Sequence, residues 1–317
     1  MPTNAPYSWQ QSLWNTFSQQ VEQQKVPHAA LLTGAEGLGQ EALANQIIAT
    51  LLCTDTQSID ACNQCHSCQL FTARNHPDHT FVQPEETGKQ IKIEQIRRLK
   101  EKQTLTPTVS KWKTVLISPA ESMNINATNS LLKLLEEPQN NTLLILISAK
   151  PERLPITILS RCQKMVLFSP TPDIAIDWLK QQGGMELETV ESLLPLVKGA
   201  PLAVLSLKES DLIQQLNQAN KDFKLLLQGQ VNPVTLAKEW LNYDLLILFN
   251  YLQSRLKQRI IICHSTSDRD LLLQYWSIYD CIMKTIKLLS SSNNLSTILL
   301  IEQFIVSVMN TRTNKGL

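Results

Sequence analysis

A chain of 317 residues with 43% apolar and 18% charged side chains is long enough for two or three domains with their own cores, and that balance excludes a disordered polypeptide. A net charge of +1 supplies no global field that would compel binding to nucleic acid. No run of about 18 apolar residues is present, and Met1-Pro2-Thr3-Asn4 lacks the basic and apolar segments of a secretory signal, so a cytoplasmic chain without a membrane span is expected.

The first apolar run, residues 28–33, leads into "TGAEGLGQEAL" and a helix over about 39–52. Strand, glycine loop and helix in that order have the outline of a phosphate-binding loop. In such a loop backbone N–H groups cradle phosphates, a lysine after the last glycine reaches them, and the next Ser or Thr hydroxyl holds Mg²⁺. Gly34, Gly37 and Gly39 keep that outline, but Gln40 and Glu41 stand where the lysine and hydroxyl belong. The degenerate loop reads as a tight turn without a ligand. Nucleotide held only by backbone N–H groups and a helix terminus is the alternative.

Next come Cys53, Cys62, Cys65 and Cys68, four of the seven cysteines within sixteen residues, spaced C-x8-C-x2-C-x2-C. In a reducing compartment this clustering argues for metal over disulfides. Two-residue gaps let thiolates turn back onto one ion, and four sulfurs close a tetrahedral, structural Zn²⁺ site. An iron–sulfur cluster is the rival, although the further Cys-Pro of ferredoxin runs is missing. Cys162, Cys263 and Cys281 read as buried small apolar residues.

Short apolar runs at 79–82, 114–118 and 143–148 alternate with helical patterns, the signature of a parallel sheet covered on both faces. Between the first two, residues 89–113 carry eight basic side chains (Lys89, Lys92, Arg97, Arg98, Lys100, Lys102, Lys111, Lys113) against Glu94 and Glu101. This reads as a solvated helix face beside a partner, with direct phosphate contact as the alternative. After the run at 114–118 the acids that hold metal in an ATPase are absent: Ser118, Pro119 and Ala120 precede the first acid, Glu121. In "NATNSLLKLLEEP", Leu131, Leu134 and Leu135 share a helix face, Pro138 ends the helix, and Asn140-Asn141 turns the chain. "LSRCQ" (Leu159-Ser160-Arg161-Cys162-Gln163) would in isolation be a helix-to-strand corner.

Beyond residue 165 the strands cease. "SPTPD" predicts a linker and an N-capped helix from near Asp173, and helical periodicity runs to the end. The expected architecture is α/β plus α: a P-loop-type α/β domain over 1–165, a small helical domain over 166–208 and a larger one over 209–317.

Taken in order, "HAALLTGAEGLGQEALA", the four cysteines, "HPDH" (76–79), "NATNSLLKLLEEP" and "PITILSRCQ" resemble the AAA+ subunits of bacterial clamp loaders, and in particular the delta-prime family of DNA polymerase III subunits. ATPase subunits of that group carry Lys-Thr or Lys-Ser in the loop and Asp-Glu after the third strand; this chain departs at Gln40, Glu41, Ser118 and Pro119. The second sensor arginine is replaced by Leu202. The resemblance is specific over about residues 7–208 and weaker at "NLSTILLIEQF". It implies that 166–208 is a lid and 209–317 a collar. It also implies that Arg161, in a Ser160-Arg161-Cys162 motif, acts as an arginine finger in trans at a neighbour's ATP site. The implied partners are the ATPase subunits (gamma/tau) and delta in a ring, with the sliding clamp and primer-template DNA reached through the complex. Zn²⁺ is the implied cofactor, productive ATP binding is not expected, and no intrinsic activity is expected beyond membership of a DNA-directed DNA polymerase assembly. Two other functions fit the residues alone: a divergent ATPase that uses Glu121, or a zinc-containing DNA-binding regulator.

Overall fold

The computed structural model describes residues 6–55, 58–86, 88–138, 141–185, 187–208, 211–266, 269–289 and 296–313. The chain divides into two compact units, one ending at Pro170 and the other beginning at Thr171.

The first unit contains α1 (Gln11–Glu22), β1 (Ala29–Thr33), α2 (Gln40–Leu52), α3 (His66–Thr72), β2 (His79–Val82), α4 (Ile93–Thr104), β3 (Lys113–Ile117), α5 (Ile125–Glu136), β4 (Thr142–Ser148), α6 (Ile156–Leu159) and β5 (Gln163–Val166). The five strands form one parallel sheet in the order β2-β3-β4-β1-β5. Every residue of β1, β3 and β4 is buried, as the unbroken Leu/Ile/Val runs require of strands covered on both faces. On one face, Leu31, Val115, Ile117, Leu144 and Leu146 pack with Ile96, Leu99, Leu131 and Leu135 of α4 and α5. β5 is an edge strand in which only Met165 is buried, so its sequence carries little strand signal. The chain order reverses at β1, which lies between β4 and β5, and the carboxyl ends of the strands there make the crevice where open α/β sheets take ligands.

The second unit is helical: α7 (Pro172–Gly183), α8 (Leu187–Leu193), α9 (Pro201–Lys208), α10 (Leu212–Gln228), α11 (Pro233–Trp240), α12 (Leu245–Thr266), α13 (Arg269–Leu289) and α14 (Thr297–Thr313). One buried cluster runs from Ala175 to Val308, with Trp240, Phe249 and Phe304 in mutual aromatic contact at its centre. The expected boundary at 208/209 falls beside residues 209–210, outside the described ones. α7 starts one residue before Asp173 and Thr171 makes no side-chain cap; the expected capped start is corrected. Pro172 at the first helical position has no N–H to satisfy and a φ already suited to the helix. Residues 140, 294 and 295 of the stretches read above also lie outside the described residues. Among the described residues no single helix is long and apolar enough to cross a membrane.

Candidate functional site

The glycine loop lies at the carboxyl end of β1, in the ligand crevice. Gly39 takes φ +81° as N-cap of α2, and a Cβ there would come within 2.7 Å of the Tyr7 ring. Only glycine meets both conditions. The loop is held closed from inside and outside. Gln40, 7% exposed, donates its side-chain amide to the Gly34 and Ala35 carbonyls at 3.0 and 2.7 Å. Gln10 donates to the Leu38 and Gly39 carbonyls, and the Trp9 indole, stacked on Tyr7, donates to Leu38 as well. A neutral amide at position 40 keeps the turn's shape and brings no charge to offset a triphosphate. Glu41 is exposed in the first turn of α2.

After β3, Glu121 is the first acid in the chain. Its Oε1 accepts the Ala149 N–H at 3.2 Å, while Oε2 is buried with no hydrogen-bond partner among the described residues. The carboxylate thus spans the ends of β3 and β4.

Arg161 precedes β5. Ala30 pairs with Gln163 and Thr33 with Val166, so Arg161 lies beyond the amino edge of the sheet while the glycine loop lies beyond the carboxyl edge. The four paired residues between them span roughly 13 Å. The guanidinium Nη2 meets Glu136 Oε1 at 2.8 Å, and Nη1 donates to the Thr157 carbonyl at 3.1 Å and to Ser160 Oγ at 3.5 Å. Ser160 ends α6, and Cys162 is buried in the core of the unit, where desolvation pushes its thiol up to about 11. Cys162 is therefore a packing residue, while Ser160 is exposed and Arg161 is about one-third exposed.

The Sγ atoms of Cys53, Cys62, Cys65 and Cys68 all lie within 4.8 Å of one another, with Cys53 and Cys65 3.9 Å apart. Four sulfurs about 2.3 Å from a single ion stand about 3.8 Å apart, so the cage suits one tetrahedral metal; a cluster of several irons would hold the sulfurs further apart. The backbone is turned inward as well: Cys62, Cys65 and Cys68 donate N–H groups to the sulfurs of Cys53, Cys62 and Cys65. Burial works against the Cys65 thiolate, but hydrogen bonds from Thr54 and the Cys68 N–H outweigh it and bring the thiol down to about 5.

"HPDH" has a positional role that spacing alone did not reveal. The Asp78 N–H donates to His76 Nδ1, which places the ring proton on Nε2, 2.8 Å from Ser67 Oγ; that hydroxyl in turn donates to the Leu52 carbonyl. The cysteine cage is thereby fastened to α2 and to the start of β2. Asp78 accepts N–H groups from Thr108, Val109 and Ser110 and orders the segment entering β3. Burial opposes its charge, but these donors hold the carboxyl below the ordinary carboxylate range. Burial, with neighbouring His76 adding to it, pushes His79 down to about 4.

Both groups bind protons more readily in the unfolded chain than in the folded one, so both stabilise at neutral pH and lose that contribution on acidification. The His79 share is complete above about pH 6.5 and fades toward pH 4; the Asp78 share is complete above about pH 4 and fades below it. Urea denaturation should therefore show stability falling by on the order of 2–3 kcal/mol between pH 7 and pH 4.5. His79→Gln should flatten that segment and leave the steeper loss below pH 4.

The basic stretch is not one continuous face. Lys89 and Lys92 pair with Glu86 and Glu85, and buried Lys113 donates to the Lys102 and Gln103 carbonyls at the end of α4. Arg97, Arg98 and Lys102 are exposed on α4.

A family model described as DNA polymerase III, delta subunit matches residues 9–171. A Pseudomonas aeruginosa protein named DNA polymerase III subunit delta' is 39% identical over 246 residues, covering 77% of this chain and 74% of that one. Its Haemophilus influenzae namesake is 34% identical over 211 residues, covering 67% of this chain and 64% of that one. A solved Thermotoga maritima structure, described as a DNA polymerase III gamma subunit-related protein, is 19% identical with a TM-score of 0.46, covering 94% of this chain and 99% of that one.

Proposed function

The chain belongs to the delta-prime family of DNA polymerase III subunits, and from that membership we propose that it is an ATPase-deficient clamp-loader subunit lending Arg161 to a neighbour's nucleotide site. The observation that carries this reading is the sheet register. Arg161 and the chain's own glycine loop lie beyond opposite edges of the sheet, which keeps the arginine from its own loop and supports a role at a site presented by another molecule. A guanidinium supplied in this way stabilises charge that develops on the transferred phosphoryl group, and its planar fork suits phosphate oxygens.

The loop supports the other half of the proposal. Gln40 and the segment 7–10 keep it folded as a turn, and no lysine ammonium enters it. Glu121 is engaged by the Ala149 N–H, which disfavours the divergent-ATPase reading. In the ring, the partners are gamma/tau ATPase subunits and delta, acting in the cytoplasm to place the sliding clamp on primer-template DNA. The cysteine cage holds a structural Zn²⁺, which would crosslink α2 and α3 without an open coordination position.

Calorimetric titration of the purified chain with ATP and Mg²⁺ tests the deficiency directly. No binding heat is expected up to millimolar nucleotide. Micromolar affinity, or turnover by the isolated chain that Glu121→Gln abolishes, would overturn it.

A further inference from the structure

We infer that Glu136 is a positioning residue for Arg161, fixing the guanidinium so that its free N–H edge is presented to the neighbour's phosphates; this rests on the proposed role of Arg161. Three acceptors from two helices hold the side chain: the Glu136 carboxylate at the end of α5, the Thr157 carbonyl within α6, and the Ser160 hydroxyl at the end of α6. Each takes one of the five guanidinium N–H groups, which leaves two for a ligand. An arginine that must meet a phosphate within a fraction of an ångström gains from being held in advance, because its long stem otherwise samples many rotamers.

The placement of Glu136 argues against a purely stabilising role. It is the last residue of α5 and Glu137 caps that helix, so two acids sit at the helix terminus that already carries partial negative charge. Arg161 is about one-third exposed and Glu136 about one-half, and an ion pair that open to water contributes little to folding. The carboxylate thus occupies an unfavourable position for its own helix, and among the described residues its ion pair is with the arginine.

The test uses the assembled complex with the subunit as wild type, Arg161→Ala, Glu136→Ala, Glu136→Gln and the Arg161→Ala/Glu136→Ala double variant. Melting temperature and metal content of each subunit verify folding. With Arg161→Ala defective, Glu136→Ala should lower kcat for DNA-stimulated ATP hydrolysis about tenfold with KM for ATP changed less than twofold. Glu136→Gln, which keeps an acceptor oxygen, should recover at least half of the loss. In the double variant, the Glu136 change should have no further effect. Full activity of Glu136→Ala beside a defective Arg161→Ala would overturn the positioning role alone, as would an equal loss from Glu136→Ala in both backgrounds. Full activity of Arg161→Ala would remove the arginine-finger reading and this inference with it.

Discussion

Arg161→Ala should slow ATP hydrolysis at the junction proposed for it by about 10³-fold or more, while the subunit itself should fold and assemble normally. The magnitude follows from arginine fingers in GTPases, which contribute about 10³–10⁵ in rate. Normal folding follows from what the side chain touches: one carboxylate, one carbonyl and one hydroxyl, all near solvent. An exposed pair of this kind contributes roughly 0–1 kcal/mol to stability. The checking measurement is single-turnover hydrolysis by the reconstituted loader, where one site's contribution should vanish with the others intact. Arg161→Lys should recover little, since a point charge lacks the planar fork. A wild-type rate for Arg161→Ala would end the reading.

Loss of a single thiolate in the cysteine cage should have the largest effect on stability. Cys65→Ser should reduce bound zinc from one ion per chain to below about a tenth, and should lower the melting temperature of the first unit by roughly 5–10 °C, the shift that about 2–4 kcal/mol produces in a domain of this size. Cys65 is the natural choice because it does several jobs: its sulfur caps α3 by accepting the Cys68 N–H and lies 3.9 Å from Cys53. The Ser67–His76 link still ties α3 to α2 and β2, so the damage should remain local. Elemental analysis and hydrogen exchange over residues 53–75 check this. Zinc retained at full stoichiometry by Cys65→Ser would show that the cage is not the metal site.

What the sequence displays clearly is whatever short-range spacing encodes. The fully buried strands β1, β3 and β4 are apolar runs that lie within a residue of their expected limits, and the edge strand β2 matches its expected limits as well. The four cysteines declare themselves because their gaps alone set how the chain turns onto an ion, and the structure gathers them as the spacing implied. β5 is faint because Gln163 and Lys164, both exposed, fill half of a four-residue edge strand and leave no apolar run. The contacts that shape the loop and the arginine were invisible for a different reason. Gln10 and Leu38 are 28 residues apart, as are Glu121 and Ala149, and Glu136 meets Arg161 across two helices. No local pattern of residue types encodes such meetings; they follow from how the helices pack on the sheet. The basic stretch is mixed: Arg97, Arg98 and Lys102 lie exposed on α4 as a solvated face requires, whereas Lys89 and Lys92 are paired with acids and Lys113 is buried.

The amide of Gln40 closing on the Gly34 and Ala35 carbonyls also bears, on the proposed reading, on how this subunit would respond to metabolism. A ligand shifts a conformational balance only by its difference in affinity for the two states, and a ligand that does not bind adds nothing to folding stability. With the loop taking no nucleotide, as proposed, the melting curve of this chain should be indifferent to the ratio of ATP to ADP. On the proposed reading, any sensing of cellular energy charge by the assembly would reside in its other subunits, for which this one would be a constant boundary condition.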